Sequence, residues 1–98
     1  MEIEFEDDDL DRLEIEAGYY GSYSAVIVTA YRKRIQMIRA ALDERTFYAM
    51  KSLHFEKLQG DRSGQYSMRL NDQWRLILRL KSEVQGKIVV VISIEDYH

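Results

Sequence analysis

Gln65-Tyr66-Ser67-Met68-Arg69-Leu70-Asn71-Asp72-Gln73-Trp74-Arg75-Leu76-Ile77-Leu78-Arg79-Leu80 is the stretch that decides the fold. Tyr66, Met68 and Leu70 alternate with Ser67 and Arg69, and Trp74, Leu76, Leu78 and Leu80 alternate with Arg75, Ile77 and Arg79. A period of two marks strands with one buried face, and Asn71-Asp72 marks a turn between them. Pairing Leu70 with Trp74 across a three-residue loop puts every large apolar residue on one face. A two-residue loop would set Trp74 beside Arg69 and mix core with solvent. The preferred register sets Arg69 directly opposite Arg75. Like charges so placed cost a few tenths to about 1 kcal/mol unless a counter-ion lies between them. A phosphate suits the planar Arg fork; the alternative is two side chains splaying into solvent, with Glu95 nearby.

Downstream, Ile88, Val90, Ile92 and Ile94 alternate with Val89, Val91 and Ser93, a third strand after a turn at Ser82 to Gly86. The same face argument pairs Leu80 with Ile88 and Trp74 with Ile94, which sets Ser93 beside Arg75 and carries Tyr97 toward that face. Alternation puts Asp96 and His98 on the side opposite Tyr97. Upstream, Glu2 to Glu6 reads as a short strand and Asp8 to Ala17 as a helix stopping at Gly18. Ser24 is a plausible N-cap for a long helix to about Leu42, with Ile27, Tyr31, Ile35, Ile38 and Leu42 as its apolar stripe. Asp43 to Met50 reads as a further helical turn. Arg32, Lys33, Gln36 and Arg39 lie off the stripe, as a solvated face or a surface for RNA or a partner.

The chain has 98 residues, 46% hydrophobic and 32% charged, enough for one domain over 1–98 and too few for two. Its longest apolar stretches, Ala25 to Ala30 and Ile88 to Ile94, are shorter than the roughly 18 residues of a membrane span, so a soluble, unprocessed chain is expected. There is no cysteine, which excludes disulfides and thiolate chemistry and fits a reducing compartment; with two histidines no multi-His metal centre is expected. The net charge of -3 argues against a nucleic-acid partner until it is divided. Residues 1–16 carry nine acids and one base, a balance of -8; residues 17–98 carry 13 bases and eight acids, a balance of +5. The acids at Asp7, Asp8 and Asp9 either favour the start of a helix or mimic a polyanion shielding the basic body.

His54 and His98 are the two side chains of a type that titrates near neutrality, which makes them candidates for proton transfer; both could equally be ordinary surface residues. Taken in order, Leu53-His54, Gly60-Asp61-Arg62-Ser63-Gly64-Gln65-Tyr66-Ser67, Asn71-Asp72-Gln73-Trp74-Arg75 and Glu95-Asp96-Tyr97-His98 resemble the HigB branch of the RelE-type toxins, closely over 46 residues. The resemblance implies an α+β, RelE-like (microbial ribonuclease-like) fold: a short N-terminal strand, two helices plus a short helical turn, then a three-strand antiparallel meander completing one sheet with helices on one face. It also implies a ribosome-dependent endoribonuclease that cuts mRNA in the A-site codon without metal or small-molecule cofactor, in the bacterial cytoplasm, held inactive by a HigA-like helix-turn-helix antitoxin.

Matched by motif, His54, Asp96, Tyr97 and His98 take the catalytic positions, and Arg75 follows the family tryptophan. Relatives commonly read Leu-His-Pro-Leu-Lys-Gly-Asp, and this chain is two residues longer between His54 and Gly60. Anchored on the histidine, Lys57 takes the lysine's place; anchored on Gly-Asp, Gln59 does, and Lys57 is preferred. The mechanism so implied has His54 and His98 sharing acid and base roles, Lys57, Arg69 and Arg75 binding phosphate, Asp96 orienting an imidazole, and Tyr97 stacking on a base or touching phosphate. The competing expectation is a non-catalytic RNA- or antitoxin-binding module, acting as a translational regulator or corepressor.

Overall fold

The computed structural model describes residues 1–96, so the expectations for Tyr97 and His98 lie outside the described residues. The elements run β1 (Glu2–Phe5), α1 (Asp8–Ile15), α2 (Ala25–Ala40), α3 (Arg45–Ala49), a 3-10 turn (Lys51–Leu53), β2 (Glu56–Lys57), a second 3-10 turn (Gly60–Arg62), β3 (Gln65–Arg69), β4 (Trp74–Glu83) and β5 (Gly86–Asp96). They form an α+β structure with one mixed sheet in the order β1-β5-β4-β3-β2. Among the described residues only β1 runs parallel to its neighbour.

Local chemistry explains where the helices start. Asp7 caps α1, its carboxylate accepting from the Asp9 amide at 2.7 Å, and Asp8, Asp9 and Asp11 occupy the first turn, where the helix dipole favours negative charge. Ser24 caps α2 as expected, its hydroxyl accepting from Ile27 N–H at 3.3 Å. Ile27, Tyr31, Ile35 and Ile38 are buried, but α2 ends at Ala40 and Leu42, expected to complete the stripe, is 94% exposed. Likewise α1 stops at Ile15, before Gly18.

Leu10 and Leu13 of α1, the α2 stripe and Phe47 of α3 pack with Met68, Leu70, Leu76, Leu78, Val89, Val91 and Ile94 into the core on one side of the sheet. Each such fully buried side chain contributes about 1.5–3 kcal/mol. The Tyr31 hydroxyl, inside this core, donates to the Leu10 carbonyl at 2.7 Å, and burial drives its pKa well above the usual phenol range. Arg32 donates to the carbonyls of Leu13, Glu16 and Tyr19 at 2.7, 2.9 and 3.2 Å, closing the C-terminal end of α1. Arg39 holds Glu14 through two hydrogen bonds of 2.8 and 2.7 Å. Two members of the basic helix face are therefore structural.

The first hairpin has the expected register, with Arg69 opposite Arg75. The second does not. Strands β4 and β5 extend to a Glu83–Gly86 pair around a two-residue loop, so Leu80 faces Val89 rather than Ile88, and Leu76, not Trp74, faces Ile94. Gly86 at φ 126 supplies a conformation L side chains rarely adopt. Ile92 is an extra residue between the Leu78–Val91 and Ile77–Ser93 pairs. This bulge shifts the phase, so Val89, Val91 and Ile94 reach the core while Val90 lies on the opposite face. Ser93 therefore pairs with Ile77, and Glu95 takes the place beside Arg75. Strand β2 escaped prediction because two charged residues carry no alternation.

Candidate active site

The helix-free face of the sheet carries the residues that interest chemistry. Its hairpin end is held by Asn71, whose side-chain oxygen accepts from the amides of Gln73 and Trp74 at 2.9 and 2.8 Å, while Leu70 N–H donates to Trp74 O at 2.9 Å. Because Leu70 and Trp74 are the hydrogen-bonded pair, Arg69 and Arg75 form the next, non-hydrogen-bonded pair, whose Cα atoms lie about 4.5 Å apart. Both arginines are half-buried, and Arg69 forms an ion pair with Asp72 of the turn.

On its other flank Arg75 pairs with Glu95. Glu95 receives two parallel hydrogen bonds from Arg62, at 2.7 and 2.5 Å, and one from the Ser93 hydroxyl at 2.7 Å. Arg62 holds the carboxyl below its usual range, against the opposing effect of burial, with Ser93 assisting. Arg62, in the turn that precedes β3, thus reaches the last strand. The nearby floor is dry: Ile77 and Ser67 are fully buried and Val90 nearly so, and the Ser67 hydroxyl has no hydrogen-bond partner among the described residues.

His54 follows the first 3-10 turn in a left-handed conformation (φ 47, ψ 47) with its side chain exposed. For a non-glycine residue this costs roughly 1–2 kcal/mol, a strain that neighbouring packing must hold. Phe55 does so: it stacks on Tyr66 at 5.1 Å and meets Phe47 and Tyr48 edge-on at 5.3 and 4.8 Å. Glu56 pairs with Ser67. Arg69, Arg75 and Glu95 thus make a row across the end of the sheet, and His54 lies two residues before the first paired residue of β2, outside the strand.

Two expected site residues stand elsewhere. Lys57 pairs with Tyr66, on the helix side of the edge strand, whereas Glu56 takes the open-face position next to Ser67. Asp96 pairs with Trp74, also on the helix side as alternation requires, and accepts from the Gln73 side-chain amide at 3.0 Å. Arg62 was given no role from sequence, although it sits inside the Gly60-to-Ser67 motif; its ion pair spans 33 residues. Glu4 and Glu6 of β1 pair with Lys81 and Arg79 at 3.5 and 3.7 Å, so part of the acidic head neutralises the basic strip of β4.

A family model described as the RelE-like toxin of the type II toxin–antitoxin system HigB matches residues 3–98. The chain belongs to this HigB-like toxin family. RelE-like toxins are usually translation-inhibiting RNases. Solved structures agree on the fold. A YoeB/ParE toxin from Agrobacterium tumefaciens is 21% identical with a TM-score of 0.64, each chain covered in full. YafQ from E. coli is 11% identical with a TM-score of 0.61, over 97% of this chain and 91% of that one. A YoeB from Staphylococcus aureus is 18% identical with a TM-score of 0.53, over 100% and 97%. Among curated proteins none matches. No helix among the described residues of this HigB-like toxin is long and apolar enough to cross a membrane.

Proposed function

We propose that this HigB-like toxin is a ribosome-dependent endoribonuclease that cleaves mRNA in the A site and is neutralised by a HigA-like helix-turn-helix antitoxin. The observation that carries the reading is the direct opposition of Arg69 and Arg75 on the open face. Two guanidinium forks over a dry floor suit a phosphodiester whose charge grows as phosphorus becomes five-coordinate.

In this reading the substrate 2'-oxygen attacks phosphorus, its proton passes to one histidine, the bond to the 5'-oxygen breaks and the other histidine protonates that oxygen. A 2',3'-cyclic phosphate and a 5'-hydroxyl result, and no metal is required. His54 and His98 fill the acid and base roles, Arg69 and Arg75 hold the phosphate and Tyr97 contacts base or phosphate, while Asp96, on the helix side, contacts none of the reacting atoms. Lys57, at the sheet edge, contacts RNA beyond the scissile bond. The ribosome presents the splayed codon, which makes the bacterial cytoplasm the place of action.

A second reading, a non-catalytic RNA- or antitoxin-binding module, draws support from the Arg62–Glu95 bridge, which occupies the face beside Arg75 with a structural ion pair. Mapping 5' ends of mRNA after induction separates the two. The endonuclease reading expects growth arrest and new ends inside codons, both abolished by His54→Ala; arrest without new ends favours the binding module.

A further inference from the structure

Arg34 stands where the sheet edge is left open. Since Leu70 and Trp74 are the hydrogen-bonded pair, the backbone groups of Arg69 point away from β4, toward the position of a further strand. Strand β2 does not reach it, because its first residue, Glu56, pairs with Ser67. The Arg69 carbonyl is taken instead by Arg34 of α2, whose Nε donates to it at 2.9 Å. This hydrogen bond fixes the Arg34 guanidinium beside Arg69 and directs its terminal nitrogens elsewhere.

Arg34 and Arg69 are thereby brought together with a single acidic partner, on Arg69. Asp72 pairs with Arg69, whereas neither Arg34 nor Lys33 has an acidic partner among the described residues. Burial, and then the charge of Arg69, lower the pKa of Arg34, so the cation is held where its own surroundings disfavour it. An open cleft of about 480 Å³ lies alongside, lined by Ala25, Val26, Thr29, Lys33, Arg34 and Leu70, where small side chains on α2 leave room. The other cations of α2 are committed, Arg32 to the end of α1 and Arg39 to Glu14.

We propose that Arg34 and Lys33, together with Arg69, form a second phosphate site for the single-stranded RNA substrate, where the strand leaves the Arg69–Arg75 pair and turns over the sheet edge onto α2. This rests on the proposed endonuclease reading for its choice of ligand. RNA is favoured over an acidic protein because Arg69 belongs to both sites, so one continuous polyanion serves both.

The test uses the full-length protein and a short single-stranded RNA made entirely of 2'-O-methyl nucleotides, which lacks the attacking hydroxyl and cannot be cut. Affinity is followed by fluorescence anisotropy between about 50 and 200 mM salt. Wild type is expected to bind with a steep salt dependence. Arg34→Gln and Lys33→Gln should each flatten the slope of log K against log salt by about 0.7, the value for one phosphate contact on a single strand. Arg34→Lys should keep most of the slope. Should Arg34→Gln prove unfolded by its thermal melt, the exposed Lys33→Gln carries the same expectation.

An unchanged slope in Lys33→Gln and in any folded Arg34→Gln overturns the site, as does absence of wild-type binding. Equal effects on an A-form RNA duplex overturn its assignment to the substrate strand, and effects on a polyglutamate peptide alone turn it into a protein-binding surface. Cleavage on ribosomes is read separately. A protein that binds as expected but never cuts retains the site and loses the endonuclease reading.

Discussion

Arg62 and Glu95, 33 residues apart in the chain, are joined by two parallel hydrogen bonds of 2.7 and 2.5 Å that lie across the open face of the sheet. The bridge ties the loop after β2 to the last strand, beside Arg75. It leaves Glu95 ionised and gives the proton-transfer chemistry no acid at that position.

The bridge makes a pH-dependent contribution to stability. The folded-state pKa of Glu95 lies below its unfolded value, near ~4.3 for a free glutamate, so the stabilisation is present above the unfolded value and is lost as pH falls through the folded one. Both partners are about one-third exposed, and screening limits the contribution to about 1 kcal/mol. Urea titrations of wild type and Glu95→Gln should differ by that amount at neutral pH and converge in acid. A difference that persists in acid assigns the effect to packing.

Removing a charge from the opposed pair should separate folding from function. Arg69→Gln relieves like-charge opposition and should leave stability unchanged or raise it by up to about 1 kcal/mol, while cleavage falls. Arg75→Gln should lower the cleavage rate roughly 10²- to 10³-fold, the usual cost of losing a transition-state donor. Denaturation midpoints and single-turnover cleavage on ribosomes check both. A parallel loss of stability and activity in Arg69→Gln would count against the repulsion argument.

His54→Gly should be the more stable protein. Glycine adopts the left-handed conformation of this position freely, a gain of about 1 kcal/mol partly offset by the greater entropy of the unfolded chain. The imidazole is lost in the same change, so activity should vanish while the melting temperature holds or rises. Retained cleavage would remove His54 from the chemistry.

Arg32 should behave as a structural residue despite its place on the basic helix. Arg32→Gln strips hydrogen bonds from three carbonyls at the end of α1 and should cost about 1–3 kcal/mol, read from urea unfolding. Its salt dependence of RNA binding should match that of wild type. A flattened salt slope with unchanged stability would place Arg32 on the RNA surface instead.

The first hairpin was legible because Trp74 and the leucines of β4 alternate with two arginines, so one register alone keeps charge from core. The same reasoning failed on β5. Ile88, Val89, Val90, Val91 and Ile92 are apolar at both parities, and alternation there carries no phase. The two-residue turn and the bulge at Ile92 chose it, moving Glu95 rather than Ser93 beside Arg75.

By itself, then, the sequence determined which residues could be strand, helix and cap, that Arg69 must oppose Arg75, and that a charge of -3 conceals a basic body. These follow from periodicity and composition, which act over a few residues. Tertiary structure decided which cations remain for a ligand. Arg32 and Arg39 are spent on α1, Arg62 on Glu95, and Arg79 and Lys81 beside the acids of β1, while Arg34 gives only its Nε to a carbonyl that no strand reaches. A long side chain spans roughly the distance between neighbouring elements, so its partner is set by which elements pack together, and local pattern does not encode that.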